Sequence, residues 1–425
     1  MSRLAVLFSL VMAAGIARGD TFELVDDPTR AFRVRMDAIE SASESIQLVY
    51  YAVEPDPMPL ELLMSVGEAA RRGVSVRIVF DGLKTRLSTQ TVRALCTSGV
   101  QLRIYRPPHP LKPASLNRRL HVKMLLVDQQ VAIIGSRNLE QAHFGGDTDR
   151  SFVDTDAVVR GKIAERAACY FEWLWKQPTL RPAHQVDWSD ENDQASCQCT
   201  GGSVLKDLEW SEVAGSLSLR AEPEQTDVVR TDHLQLLYDR RPDKSDRTMQ
   251  STIIRWFDEA RHRCVIESPY PAFARPVRRA IGRAARRGVE VVLFTNSLES
   301  TDQTAVYAAY QNQKRGLLRD GVQLREYTGD GILHSKTAVF DGRRSVIGSH
   351  NFDSRSDRLN FELCVISDDP AVAHKIRKSQ NRRLQHSAIV RRQWFPLDTP
   401  SGHWDSKRWM MIGKRAYAEW IRRCL

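Results

Sequence analysis

One order of segments occurs twice along this chain, and that duplication constrains the architecture before any single residue is weighed. EAARRGVSVRIVFDG (68–82) returns as RAARRGVEVVLFTNS (283–297), and GVQLRIY (99–105) returns as GVQLREY (321–327). LHVKMLLVDQQVAIIGSRN (120–138) returns as LHSKTAVFDGRRSVIGSHN (333–351). Gly73 thus maps onto Gly288, Gly99 onto Gly321 and His121 onto His334, always in the same order. A conserved order at near-constant displacement marks a duplicated domain rather than scattered coincidences. Each copy alternates apolar strand-like runs with helical segments, so each is expected to fold as an α/β layer structure.

The 425 residues leave room for both copies and for flanking segments. The expected division is a signal peptide over 1–19, a first domain over 20–177, a linker over 178–246, a second domain over 247–390 and a basic aromatic tail over 391–425. In the first segment Arg3 precedes an apolar run from Leu4 to Ala17, and Ala17 and Gly19 are small residues suited to a cut after Gly19. That is the order of a secretory signal, and the run is short of the roughly 20 residues a membrane span needs. Export is expected, to the periplasm or the outer face of a bacterial inner membrane, with an uncleaved anchor as the alternative. The polar linker holds Cys197 and Cys199, a pair without a second pair nearby to complete a four-ligand metal site. Seven cysteines in all exclude a disulfide-stapled mini-fold.

The duplicated core reads H-x-K-x4-D-x6-G-S-x-N. Its first copy supplies His121, Lys123, Asp128, Ser136 and Asn138; its second supplies His334, Lys336, Asp341, Ser349 and Asn351. On a strand, alternate side chains share a face, so each histidine points the same way as its lysine. Asp128 and Asp341 fall at odd offsets and open turns, which suits bracing of the return strand better than contact with substrate. That return strand brings the Gly-Ser-x-Asn hydroxyl, amide and backbone donors back beside the His-Lys pair. Lysine and asparagine donors around a neutral imidazole suit an anionic phosphoryl group, which the histidine can attack. A metal centre is the rival reading; lysine is a poor ligand, neither copy holds a tight His/Asp/Glu cluster, and no cofactor is expected.

A nucleophilic imidazole needs an acceptor on its other nitrogen. Asp154 in SFVDTDAVV and Glu362 in LNFELCVIS follow the two motifs at corresponding places, with Asp156 a competitor for the role of Asp154. The expected pairings are His121 with Asp154 and His334 with Glu362.

These residues resemble the phospholipase D superfamily, whose signature is this duplicated HKD motif, and within it bacterial cardiolipin synthases. The matching stretches include IQLVYYAVEP (46–55), SLNRRLHVK (115–123), GSRNLEQAHFG (135–145), FVDTDAVV (152–159), ESPY (267–270), TNSLESTDQTAVYAAY (295–310) and GSHNFDSRSDRLNFE (348–362). The resemblance implies two fused phospholipase D-like α/β/α domains with pseudo-twofold symmetry, each a central mixed sheet flanked by helices. It implies one interface active site in a monomer, with His121 as nucleophile and His334 as general acid. Lys123, Lys336, Asn138 and Asn351 would hold the phosphate, and Ser136 and Ser349 are added as substrate-binding candidates. Asp128, Asp341, Asp154 and Glu362 complete the candidate catalytic set.

The implied reaction is metal-independent phosphatidyl transfer on phospholipid, with hydrolysis by a phospholipase D and cleavage of nucleic acid as alternatives. The implied partner is a phospholipid membrane surface. The net charge of +10 fits a phosphate-facing excess better than a coat for nucleic acid. In the tail, Trp409, Ile412, Ala416 and Trp420 recur at helical spacing among Lys414, Arg415, Arg422 and Arg423. That pattern fits an interfacial helix on anionic lipid, or a terminal helix packed on the second domain.

Overall fold

The computed structural model describes residues 19–108, 117–146, 151–186, 188, 227–240 and 247–391. Most of the expected signal segment, Cys197 and Cys199, and the tail from 392 onward lie outside the described residues.

The repeated Arg-Arg-Gly-Val segments are helix ends. Gly73 (φ +99°) and Gly288 (φ +91°) take the left-handed conformation after helices Pro57–Arg71 and Arg275–Arg286. The next amide then closes back on the helix, Val74 N–H to the Ala69 carbonyl and Val289 N–H to that of Ala284. A glycine tolerates this backbone at no steric cost, which is why both copies keep it. Other helices start on side-chain caps: Asp27 accepts from Arg30 N–H ahead of Pro28, and Asp369 accepts from Ala371 N–H ahead of Pro370.

In chain order the first half carries β1 (Asp20–Val25), β2 (Ser45–Tyr50), β3 (Ser75–Asp81), β4 (Gln101–Tyr105), β5 (Met124–Val127), β6 (Val131–Gly135), β7 (Phe152–Val153) and β8 (Asp156–Arg160). Then come β9 (Leu180–Pro182), β10 (Val229–Thr231) and β11 (Leu234–Leu237). The second half carries β12 (Arg263–Glu267), β13 (Glu290–Asn296), β14 (Gln323–Tyr327), β15 (Ile332–Leu333), β16 (Thr337–Phe340), β17 (Arg344–Gly348), β18 (Cys364–Ser367) and β19 (Ser387–Ile389). One sheet runs β10-β1-β8-β6-β5-β2-β3-β4-β9 and the other β11-β18-β17-β16-β12-β13-β14-β19. Both are mixed: β2-β3-β4 and β12-β13-β14 are parallel, and the remaining pairings within these two sheets are antiparallel. The two orders match strand for strand from β8/β18 to β9/β19, so the duplication seen in the sequence is a duplication of topology.

The stretch expected as a linker is not only a connector. It supplies β9 and β10 to the first sheet and β11 to the second. Three- and four-residue strands at sheet edges carry too little periodicity to stand out from polar surroundings.

Each sheet has an outer core against its own helices. Between the halves lies a third core that belongs to both. Leu120, Val122 and Ile134 of the first half pack there with Ile347, Phe361 and Val365 of the second, closed by helices Lys162–Trp175 and Pro370–Leu384. Burying apolar surface from both copies in one cluster fixes how the halves meet. Among the described residues, no helix is long and apolar enough to cross a membrane.

Candidate active site

The two halves exchange backbone hydrogen bonds on either side of the shared core. In one crossing, His121 N–H donates to the Phe361 carbonyl and Phe361 N–H to that of Arg119, both at 2.9 Å. In the other, β15 runs parallel to β7; Ile332 N–H donates to the Ser151 carbonyl and His334 N–H to that of Val153, both at 2.8 Å. Phe361 precedes Glu362, and Val153 precedes Asp154. Each motif histidine is thereby laid beside the carboxylate of the other half.

The expected pairings are therefore reversed. His121 Nδ1 lies 2.9 and 3.0 Å from the two oxygens of Glu362, and His334 Nδ1 lies 2.8 Å from Asp154 Oδ1. Sequence proximity suggests pairing within one half but carries no information about strands exchanged between halves. Asp156 is not a competitor: Arg35 and Arg137 hold it in a buried cluster at 2.8 and 3.0 Å.

His121 and Lys123 precede β5 rather than lying in it, yet the alternation persists. Leu120 and Val122 enter the shared core while His121 and Lys123 turn to the site. Each lysine donates to the carbonyl of its own histidine, Lys123 at 2.6 Å and Lys336 at 2.5 Å. Burial pushes Lys336 down to about 8 and lowers Lys123 well below its usual value. Burial also lowers His121, to about 4, against the opposing pull of Glu362, and lowers His334 strongly. Burial alone would raise Glu362, but the His121 ring that donates to it, with His350 and Lys123 nearby, holds it at about 2. The result is two carboxylates kept ionised, two imidazoles with Nδ1 committed, and two lysines whose charge is costly until an anion arrives.

Two expectations need correction. Ser136 and Ser349 are fully buried behind the carboxylates, donating to Asp154 at 2.6 Å and to Glu362 at 2.5 Å, so they position the acceptors instead of binding substrate. Asp128 and Asp341, placed in the candidate catalytic set, sit in hairpin turns between β5 and β6 and between β16 and β17. Both have positive φ, +49° and +52°. Asp128 accepts the amides of Ser43, Glu44 and Ser45, and Asp341 those of Arg261, His262 and Arg263. Both brace the fold and stay away from the site, but they hold the segments entering β2 and β12 and not the return strands β6 and β17 expected from their offsets. Asn138 and Asn351 follow the two buried serines and are themselves buried, 7% and 6% exposed.

A family model described as "Cardiolipin synthase, PLD-like domain" matches residues 36–175 and 253–384, one match on each half. The chain belongs to this family. Among its relatives, cardiolipin synthase C of Escherichia coli K12 is 28% identical over 392 residues, covering 82% of this chain and 81% of that protein. A cardiolipin synthase of Halalkalibacterium halodurans is 27% identical over 345 residues, covering 80% of this chain and 61% of that protein. Phosphatidylserine synthase of Haemophilus influenzae superposes on 98% of this chain and 100% of its own with a TM-score of 0.72, at 13% identity, a likeness of fold alone.

Several residues of this PLD-like site were not singled out from sequence. Asp81, at the end of β3, accepts Leu120 N–H at 2.8 Å; Asn296, at the end of β13, accepts Leu333 N–H at 2.9 Å. They anchor the residues just before the two histidines, and their matched places in the repeat (VFDG, FTNS) were the available signal. Carboxyl ends of parallel strands are where α/β sheets place functional groups. Tyr51 packs edge-on against His121, with ring centroids 4.9 Å apart, and Lys123 Nζ stands 5.0 Å from its centroid. His143 donates to Asp154 from its buried ring.

His143, Asp154 and His334 are the one cluster among the described residues with the composition of a metal site. Their geometry suits protons better. Nδ1 of His143 and of His334 lie 2.6 and 2.8 Å from the Asp154 oxygens, which is direct hydrogen-bond distance. Ligands about 2.0 Å from a tetrahedral zinc sit about 3.3 Å from one another.

Proposed function

We propose that this protein is a metal-independent phosphatidyltransferase of the cardiolipin-synthase type, acting on phospholipid through a phosphohistidine intermediate. The observation that carries the reading is the pair of crosswise His–carboxylate contacts around two buried lysines. Family membership supports phosphatidyl transfer in particular, and the names of the curated relatives support it further.

In the first step Nε2 of His121 bonds to phosphorus and the bond from phosphorus to the leaving alcohol oxygen breaks. His334 gives its proton to that oxygen. In the second step His334 takes the proton of the incoming hydroxyl, whose oxygen bonds to phosphorus as the His121 bond breaks. Lys123 and Lys336 neutralise the non-bridging oxygens, with amide donation from Asn138 and Asn351. Burial disfavours protonation of both rings in the empty site. A bound phosphodiester anion supplies the charge that favours a proton on His334.

Purified protein incubated with phospholipid vesicles in excess chelator should form a transfer product that retains one phosphodiester. Release of free phosphatidic acid alone would point to a hydrolase, and comparable turnover of single-stranded DNA to a nuclease. Loss of activity in chelator would reject the metal-free mechanism. The charged, apolar and small-residue order of the first nineteen residues supports export to the outer face of the inner membrane. N-terminal sequencing of the membrane and periplasmic fractions tests that, with Asp20 expected as the first residue and a retained Met1 or Ser2 contradicting cleavage.

A further inference from the structure

The two halves differ at the position that stands behind each carboxylate. Counting from the serine of Gly-Ser-x-Asn, His143 in the first half corresponds to Ser356 in the second. Ser356 Oγ donates to Glu362 at 2.7 Å and accepts Asn351 N–H at 3.2 Å. His143 Nδ1 lies 2.6 Å from Asp154 Oδ2, and its Nε2 lies 3.4 Å from the Asn138 amide nitrogen. Both residues therefore tie a carboxylate to a site asparagine, one through a hydroxyl and the other through a titratable ring.

That ring is 1% exposed and lies flat on Phe152, with centroids 4.3 Å apart at 7°. It meets His334 edge-on at 5.1 Å, so two imidazoles share the single carboxylate of Asp154. The other charged groups around this cluster are Lys336, Lys123 and Arg137, whose Nε donates to the His143 carbonyl, with Glu140 just ahead on the same turn.

We propose that His143 is a positioning residue, joining Asp154 to Asn138 as a neutral ring and so leaving His334 as the imidazole that carries the proton. The proposal rests on the transferase reading above. A carboxylate only accepts, so Nδ1 of His143 carries hydrogen. The Asn138 amide nitrogen faces Nε2 at 3.4 Å and an NH2 only donates, so in this orientation of the amide Nε2 is the acceptor, and protonating it would set donor against donor. Among the described residues, Nε2 of His334 has no such partner, so a proton entering the cluster settles there. The second amide hydrogen of Asn138 remains for a phosphate oxygen.

The test is nitrogen NMR of the histidine rings in the full chain, with inorganic phosphate as the probe. His143 should show the neutral Nδ1–H tautomer with and without phosphate, while phosphate brings His334 to imidazolium. His143→Gln retains one donor and one acceptor and should bind phosphate within about threefold of wild type. His143→Phe retains the stacking but neither hydrogen bond, and should bind about tenfold more weakly; with Asp154 no longer shared between two rings, His334 should take up its proton at a higher pH than in wild type. An imidazolium at His143 in the phosphate-bound protein would overturn the proposal. So would phosphate affinity and His334 titration in His143→Phe equal to wild type. None of these readouts needs turnover, so a chain that binds phosphate this way without transferring lipid would fail the functional reading and not this one. The wild-type tautomer stands as a test even where a variant does not fold.

Discussion

Nδ1 of His121 lies 2.9 Å from Oε2 of Glu362, 241 positions further along the chain and in the other half of the molecule. The mirror contact joins His334 to Asp154 across 180 positions. Neither motif histidine takes its carboxylate from its own half, so the duplicated fold has one site that exists only when both copies dock.

The crossing makes a prediction that pairing within each half would invert. Glu362→Gln, in the second half, should impair the chemistry of His121, lowering the rate of covalent adduct formation by about 10²–10⁴-fold even with an activated leaving group. Asp154→Asn should impair His334 and slow turnover of ordinary phospholipid by a similar factor. Its first step should recover on a substrate whose alcohol leaves without a proton. Quench-flow on both variants decides between the pairings, and the opposite pattern contradicts the geometry.

Asp156, two residues from Asp154, should behave differently. It neutralises Arg35 and Arg137, both with side chains at most 1% exposed. Asp156→Asn leaves two buried guanidiniums without their carboxylate and should cost about 3–5 kcal/mol. Urea unfolding of Asp154→Asn and Asp156→Asn should separate the two, with only the second strongly destabilised.

The turn aspartates are expected to affect stability without touching chemistry. Asp128 holds three backbone amides and the Ser43 hydroxyl while keeping a left-handed backbone. Asp128→Ala should lower stability by about 1–3 kcal/mol and reduce Tm by a few degrees. The pH dependence of the remaining activity should be unchanged; a shifted profile would bring Asp128 into the site.

Acid should destabilise the fold earlier than carboxylate titration alone would. Burial holds His121 at about 4 against an ordinary 6.5, so the unfolded chain binds more protons between those values. Stability is then fully present above pH 6.5 and is lost as pH falls toward 4. Glu362, at about 2 against 4.5 despite its burial, adds a loss of the same sign below pH 4.5. Tm measured across this range should fall from pH 6.5 downward, and His121→Phe should flatten the upper part of the fall. A Tm independent of pH from 6.5 to 4 would contradict the buried neutral ring.

The parts of the fold readable from sequence were those written twice. The Arg-Arg-Gly-Val helix ends, the His-x-Lys alternation and the turn role of Asp128 and Asp341 follow from local backbone chemistry and needed no partner. The pairing of His121 with Glu362 depends on Phe361 lying beside Leu120, a bridge between copies that no periodicity encodes. Ser136 and Ser349 were assigned to substrate because a hydroxyl near a phosphate site is a plausible donor, whereas burial turned both onto carboxylates. The strands β9 to β11 leave little trace in the sequence because three or four residues at a sheet edge need little hydrophobic pattern. Asp81 and Asn296 occupy matched places in the repeat, but their residue types differ and so no shared motif marks them.

Two-step transfer as proposed requires a covalent phosphatidyl group on His121. His334→Gln removes the acid and base without touching Glu362, and an activated phospholipid whose leaving group needs no proton allows the first displacement to proceed. The second displacement lacks its base, so the intermediate should accumulate. Mass spectrometry of the quenched variant should find the phosphatidyl group on His121. An adduct on His334 in the His121→Gln variant, with none on His121 in its counterpart, would reverse the roles, and no adduct on either histidine would contradict the covalent mechanism.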